Sequence, residues 1–268
     1  MDDQKQEVFD FWNEVSCGER LLLDASDKPG YRTQMEKRYL LEPFIEGFAR
    51  FEDSRDLDVL EIGVGLGADH QRFAQAGARL TGIDLTERAV AHTRSRFDLF
   101  GLNSKLQVGD AECLPYADQA FDVVYSWGVL HHSPNTAGAV AEVWRVLRRG
   151  AVARIMIYHK HSLVGYMLWL RYGMLAGKPW RGLGDIYAKH LESPGTKAYT
   201  RNEARALFMK FSEVRISTVL THGDLLESAA GQRHRSWLLS LAKHVWPRRL
   251  LRSILPRHGL FMLIEARK

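Results

Sequence analysis

Apolar positions along this chain follow two periods. Short apolar runs near 58–62, 79–83, 104–108, 121–126 and 152–158 read as strands buried on both faces. Between and before them, apolar residues recur every three to four positions, which predicts amphipathic helices at 3–16, 32–50, 86–100 and 136–147. Gly101 closes the third of these and Asn135 opens the fourth. Strands alternating with helices imply a parallel sheet covered on both faces. The last third breaks the rhythm. An apolar helix at 162–177 leads into a Gly/Pro-rich loop from Lys178 to Tyr199, then a helix opened by the capping pair Thr200 and Glu203. Strands follow near 213–220 and 260–266. No repeat or low-complexity tract interrupts the pattern.

The junction after the first strand carries the most chemical information. Val59-Leu60-Glu61-Ile62 runs directly into Gly63-Val64-Gly65-Leu66-Gly67-Ala68, an apolar strand meeting a glycine turn that opens a helix. Such a turn lets backbone approach a ligand closely, and the helix start offers free N–H groups. By itself the run also fits the fingerprint of dinucleotide dehydrogenases. Acids at strand ends add to it: Glu61 before the first glycine suits a cationic ligand, and Asp84 ends the next strand where an acid accepts both ribose hydroxyls. Asp110 follows in Val108-Gly109-Asp110-Ala111-Glu112.

Taken together, E-x-G-x-G-x-G at 61–67, Asp84, G-D-A-E at 109–112, F-D-V-V at 121–124, L-H-H at 130–132 and V-W-R-V-L-R-R-G at 143–150 resemble the class I S-adenosylmethionine-dependent methyltransferases, specifically the small-molecule group called methyltransferase type 11. The likeness covers roughly residues 57–160. Arg148-Arg149-Gly150-Ala151 departs from the family's usual Pro-Gly-Gly turn before the fifth strand, with Gly150 read as a helix terminator. The resemblance implies a Rossmann-like, doubly wound α/β fold with a seven-stranded, mostly parallel sheet and an antiparallel last strand. One domain is expected: an N-terminal helical cap (1–56), the core (57–160), a lid insertion (161–200), and C-terminal strands with a basic helix (201–268).

It further implies S-adenosylmethionine as cofactor, S-adenosylhomocysteine as product, and a small-molecule acceptor. Glu61, Gly63, Gly65, Gly67, Asp84, Leu85, Asp110, Ala111, Glu112, Ser126 and Trp127 become the expected cofactor-binding residues, and Tyr31, Arg32 and Tyr39 fall in the region expected to fold over the cofactor. His131 and His132, at the carboxyl edge of the sheet, are candidates for a general base titrating near neutrality. His159 and His161, spaced i, i+2 without a carboxylate partner nearby, do not make a metal site.

Composition bounds the alternatives. Hydrophobic residues make up 46% and charged residues 26%, ordinary for a globular chain, and the only cysteines, Cys17 and Cys113, have neither zinc nor disulfide spacing. A reducing cytoplasm is the expected setting, since MDDQKQEVFD is too polar for a signal peptide. The net charge of +5 is uneven: nine Lys/Arg against Glu265 alone leave 231–268 at about +8 and the rest near −3. Residues 236–255 therefore read as a basic amphipathic helix that packs on the sheet, lies on an anionic membrane, or grips RNA. An RNA methyltransferase lacks support from any base-flipping motif after the fourth strand, and a non-catalytic nucleotide-binding protein remains the other alternative. Tyr158, Tyr166, Trp169, Tyr172, Trp180 and Tyr187 suggest an aromatic lid over a partly apolar acceptor.

Overall fold

The computed structural model describes residues 3–227 and 246–268. Four helices, α1 (Asp3–Glu14), α2 (Glu19–Leu22), α3 (Lys28–Leu41) and α4 (Phe44–Ala49), precede the sheet. The core then runs β1 (Asp58–Ile62), α5 (Ala68–Gln75), β2 (Arg79–Asp84), α6 (Glu87–Phe100), β3 (Lys105–Val108), β4 (Phe121–Trp127), α7 (Thr136–Val146) and β5 (Leu147–Tyr158). The insertion holds α8 (Leu163–Trp169), a π-turn at Leu170–Met174, and α9 (Leu183–His190). After it come α10 (Arg201–Leu207), β6 (Glu213–Val219), α11 (Arg248–Ile254) and β7 (Phe261–Arg267).

The seven strands lie in the order β3-β2-β1-β4-β5-β7-β6. β1 through β5 are parallel, and β7 is antiparallel to both neighbours, as the resemblance implies. The order of the strands reverses between β1 and β4, which themselves run parallel. Their carboxyl ends therefore border the crevice in which open α/β sheets bind ligands. Both faces are covered: α7 buries Ala139, Val140, Val143 and Val146 on one side, while Phe73 and Phe97 pack with Val59 and Val123 on the other. Together these stripes hold the strand ends at fixed positions by apolar burial.

Local signals account for most boundaries. Thr86 caps α6 by accepting from Ala89 N, Gly101 ends it at φ 65°, Asn135 caps α7, and Thr200 with Glu203 forms the expected capping box. Three expectations need correction. The helix expected over 32–50 is two, because Pro43 cannot extend α3, whereas Asp27 starts it four residues earlier by accepting from Gly30 N. The 178–199 loop contains α9. Gly150 does not end a helix; it sits inside β5 at φ 78°, where the β4 pairing slips between Phe121 and Val123. The bulge lets strand pairing begin at Leu147, ahead of the expected start. Of the basic helix expected at 236–255, residues 236–245 lie outside the described residues.

Candidate active site

The carboxyl ends of β1, β2 and β4 open into one cavity of about 500 Å³. Its floor is the glycine turn. Gly63 has φ 84°, and a Cβ there would stand 2.0 Å from Val129 Cγ2, so both backbone and packing demand glycine. At Gly65 (φ 51°) a Cβ would meet nothing within 4 Å, because the position faces the open cavity. Arg96, wholly buried on α6, holds this turn to the cap. Its guanidinium donates to Leu66 O, Tyr31 O, Gln34 Oε1 and Gln71 Oε1.

Asp84 is aimed by its own neighbours. One oxygen accepts from Thr86 N and Oγ1 at 3.0 and 2.9 Å, the other from Gly65 N at 3.2 Å. Burial still raises its pKa above the ordinary carboxylate value. Leu85, Asp110 and Ala111 continue the same wall. Lys5, arriving on α1, donates to Asp110 at 2.6 Å and Glu112 at 2.7 Å.

Glu61 lines the cavity with one carboxylate oxygen 2.8 Å from His70 Nδ1, and Ser104 Oγ closes the other side of that ring at 2.7 Å. Burial, reinforced by Asp69, pushes Glu61 well above the usual carboxylate range, while burial takes His70 down to about 3. The pair is thus held near neutral beneath the turn. Beside it, Asp69 accepts from Arg38, Tyr39 and Tyr125. Burial opposes its charge, but Arg38 and the two hydroxyls keep it below the ordinary value. Glu42 has less support, at 3.4 Å from Arg38, and burial raises it to about 7.

The opposite half of the cavity is mainly aliphatic, with Val129, Met156, Val164, Met167, Leu168 and Leu191 among its walls. Arg171, Thr221, His222 and His132 are polar residues in the same lining. His132 sets Nδ1 2.8 Å from Ser193 Oγ and 3.2 Å from Thr196 Oγ1; its Nε2 has no hydrogen-bond partner and lies 3.6 Å from Glu192 Oε2. Tyr158 donates to the same Glu192 oxygen at 2.6 Å. Burial, then the charge of Lys197, takes His132 down to about 3, so it is neutral throughout the physiological range, contrary to the expected titration near neutrality.

Ten of the thirteen residues singled out from sequence line the cavity: Glu61, Gly63, Gly65, Gly67, Asp84, Leu85, Asp110, Ala111, Trp127 and His132. The structure does not bring the other three to it. Ser126 is fully buried and ties strands by donating to Ile62 O. Glu112 holds Lys5 and Asn135 N. His131 is enclosed beside Tyr158, with ring centroids 4.0 Å apart. Trp127 packs among Phe44, Phe48 and Phe261 where it meets the cavity.

Tyr31, Arg32 and Tyr39 also miss the cavity, because α3 turns Gln34, Arg38 and Leu41 inward instead. Of the expected aromatic lid, only Tyr158 reaches it. Tyr187 bonds Ser162 and His159 O, Tyr172 stacks on His190, and Trp169 donates to Arg181 O. His159 meets Gly259 O, and among the described residues no three His, Cys, Asp or Glu side chains are grouped to hold a metal. Cys17 opens into the cavity as a thiol that burial pushes up to about 12.

Comparison with known proteins agrees with this geometry. Residues 60–155 match the family model described as Methyltransferase domain. The chain is 33% identical over 119 residues to a demethylmenaquinone methyltransferase of Tropheryma whipplei, covering 43% of this chain and 48% of that one. It is 30% identical over 103 residues to the sterol 4-C-methyltransferase of Caenorhabditis elegans, covering 38% and 31%. The chain thus spans less than half the length of these curated relatives. In fold it is similar to the PH0226 protein of Pyrococcus horikoshii, with TM-score 0.57 at 15% identity over 93% of this chain and 97% of that one. Over residues 60–155, then, the chain matches a methyltransferase domain and resembles named methyltransferases.

Proposed function

We propose that the chain transfers a methyl group from S-adenosylmethionine to a small, mostly hydrocarbon acceptor. One observation carries this reading: a single cavity joins the glycine turn and the strand-end acids to a mainly aliphatic chamber that also holds His132 and Glu192. The two relatives are named for demethylmenaquinone and for a sterol. A sterol is largely hydrocarbon, and so is this chamber.

The residues present fit the cofactor. Gly65 leaves room where a side chain would intrude, Asp84 is preset to accept two ribose hydroxyls, and Asp110 stands where an adenine amino group donates. Glu61 is placed to hold the methionyl amino group directly or through water. When bound, S-adenosylmethionine supplies an activated methyl on a sulfonium. The protein's remaining work is to align the acceptor and exclude water, and the aliphatic walls serve both ends. His132 is the acceptor-side base in this account. In the tautomer that donates from Nδ1 to Ser193, Nε2 keeps its lone pair for the acceptor's proton, and Glu192 steadies the cation that forms.

Calorimetry with S-adenosylhomocysteine tests the cofactor half, and radiolabelled methyl transfer to quinols, phenols and sterols tests the acceptor half. Micromolar affinity with label in an apolar product is expected. Binding of a nicotinamide dinucleotide in place of S-adenosylhomocysteine would overturn the reading.

A further inference from the structure

Five aromatic and aliphatic residues of the insertion that do not face the cavity are left in water. Along α8 and the π-turn, Tyr166, Leu170 and Met174 fall on one side, 40%, 45% and 51% exposed, and Leu175 and Trp180 are 75% and 78% exposed. Met167, Leu168 and Arg171, on the other side of the same segment, line the cavity. The segment is folded, not frayed: Lys178 N donates to Gly173 O at 2.8 Å and Trp169 Nε1 to Arg181 O at 3.0 Å. A contiguous apolar patch of this kind on a folded chain marks a surface that something covers.

Charge narrows what covers it. From Ser162 to Gly184 the chain has no acid and three cations: Lys178, Arg181, which meets Asp185 at 3.7 Å, and Arg171 on the cavity side. α11 follows on the same rim, with Leu250 and Ile254 exposed at 56% and 63% beside Arg249 and Arg252, the latter paired with Glu227 at 2.6 Å. It is tied there, since Leu163 N donates to His258 O and Arg248 donates to Leu225 O. Apolar side chains flanked by cations match an anionic lipid interface, where the apolar groups enter the acyl boundary and the cations meet headgroups. A second copy presenting the same cations would repel the first. No helix among the described residues is long and apolar enough to cross a membrane, so contact of this kind is peripheral.

We propose that the outer face of α8 and the 170–181 turn, with α11 beside it, docks on an anionic lipid bilayer, so that a hydrocarbon acceptor passes from the bilayer into the cavity behind it. The purpose given to the docking rests on the proposed methyl transfer; the docking itself does not.

The test is co-sedimentation of the whole chain with phosphatidylglycerol or phosphatidylcholine vesicles, alongside S-adenosylhomocysteine calorimetry. Binding to phosphatidylglycerol at low salt is expected, weaker by at least about tenfold on phosphatidylcholine or in molar salt. Replacing Leu175→Asp and Trp180→Asp together should remove at least about tenfold of the vesicle binding and leave S-adenosylhomocysteine affinity unchanged, since both side chains lie in water. Lys178→Glu with Arg249→Glu should weaken phosphatidylglycerol binding and spare the weak phosphatidylcholine binding. Wild-type protein that ignores phosphatidylglycerol at low salt, or an aspartate variant that binds like wild type, overturns the proposal. So does a concentration-dependent dimer in sedimentation velocity that the aspartate variant abolishes, which would give the face to a second copy. Cofactor affinity is read separately, so failure of docking and failure of the methyl-transfer reading give different results.

Discussion

The two halves of the cavity are built differently. Around the glycine turn, Asp84 and Asp110 stand at or just past strand ends, and part of their aim is set by residues two positions away: Thr86 holds Asp84, and the Glu112 N–H holds Asp110. On the acceptor side, the groups come from distant parts of the chain. Glu192, Ser193 and Thr196 arrive on the insertion, and His132 from the loop after the fourth strand. Short-range construction leaves a spacing in the sequence; long-range construction leaves only residue types.

The largest effect is expected from removing the group that ties the glycine turn to the N-terminal helices. Arg96→Ala deletes four donated hydrogen bonds between the turn and the cap and leaves buried carbonyls without a donor. A loss of about 3–5 kcal/mol of stability is expected in chemical denaturation. A loss under about 1 kcal/mol would mean that turn and cap are held independently.

On the cofactor side, Asp84→Ala should weaken S-adenosylhomocysteine binding by about 2–3 kcal/mol in calorimetry, because charge-assisted bonds to two hydroxyls disappear. On the acceptor side, His132→Ala should lower turnover by about a hundredfold while sparing cofactor affinity. Because burial holds the imidazole neutral down to about 3, wild-type turnover should not rise through a His132 ionisation between pH 5 and 8. A step near 6.5, the ordinary histidine value, would show that this ring is hydrated in solution.

That histidine also shows how far the sequence could be read. The β-α alternation, the glycine turn, Asp84 and Asp110 were legible, because each depends on local periodicity or on a strand followed by a turn, whereas the antiparallel last strand came from the family resemblance alone. His131 and His132 are adjacent and chemically identical, and only packing separates them: one ring is enclosed beside Tyr158, the other reaches the cavity. Helix rotation hid the cap in the same way. Tyr31, Arg32 and Tyr39 are as polar and aromatic as a ligand-binding set, but α3 presents Gln34, Arg38 and Leu41. The i, i+4, i+7 spacing of those three was the available signal. Glu42 and Glu192 left none, since nothing near them in sequence marks an acid that folds into the cavity.

A smaller effect sharpens the account of Glu42. Its folded pKa is raised from an ordinary 4.5 to about 7 by burial, so the folded state holds a proton that the unfolded state releases. The resulting cost is absent below pH 4.5, grows as pH rises to 7, and is complete above it. Glu42→Gln should therefore match wild type at pH 4 and exceed it at pH 8 by on the order of 2 kcal/mol, measured by urea denaturation at both pH values. Equal differences at the two pH values would mean that Arg38 fully compensates the carboxylate.

The central claim is that one cavity holds the cofactor at the glycine turn and the acceptor in the aliphatic chamber. A crystal structure with S-adenosylhomocysteine tests it most directly. The account predicts ribose hydroxyls on Asp84, the adenine edge at Asp110, backbone contact at Gly65, and the sulfur facing the chamber that holds His132. Ligand bound elsewhere, or with its sulfur turned away from His132, would contradict it.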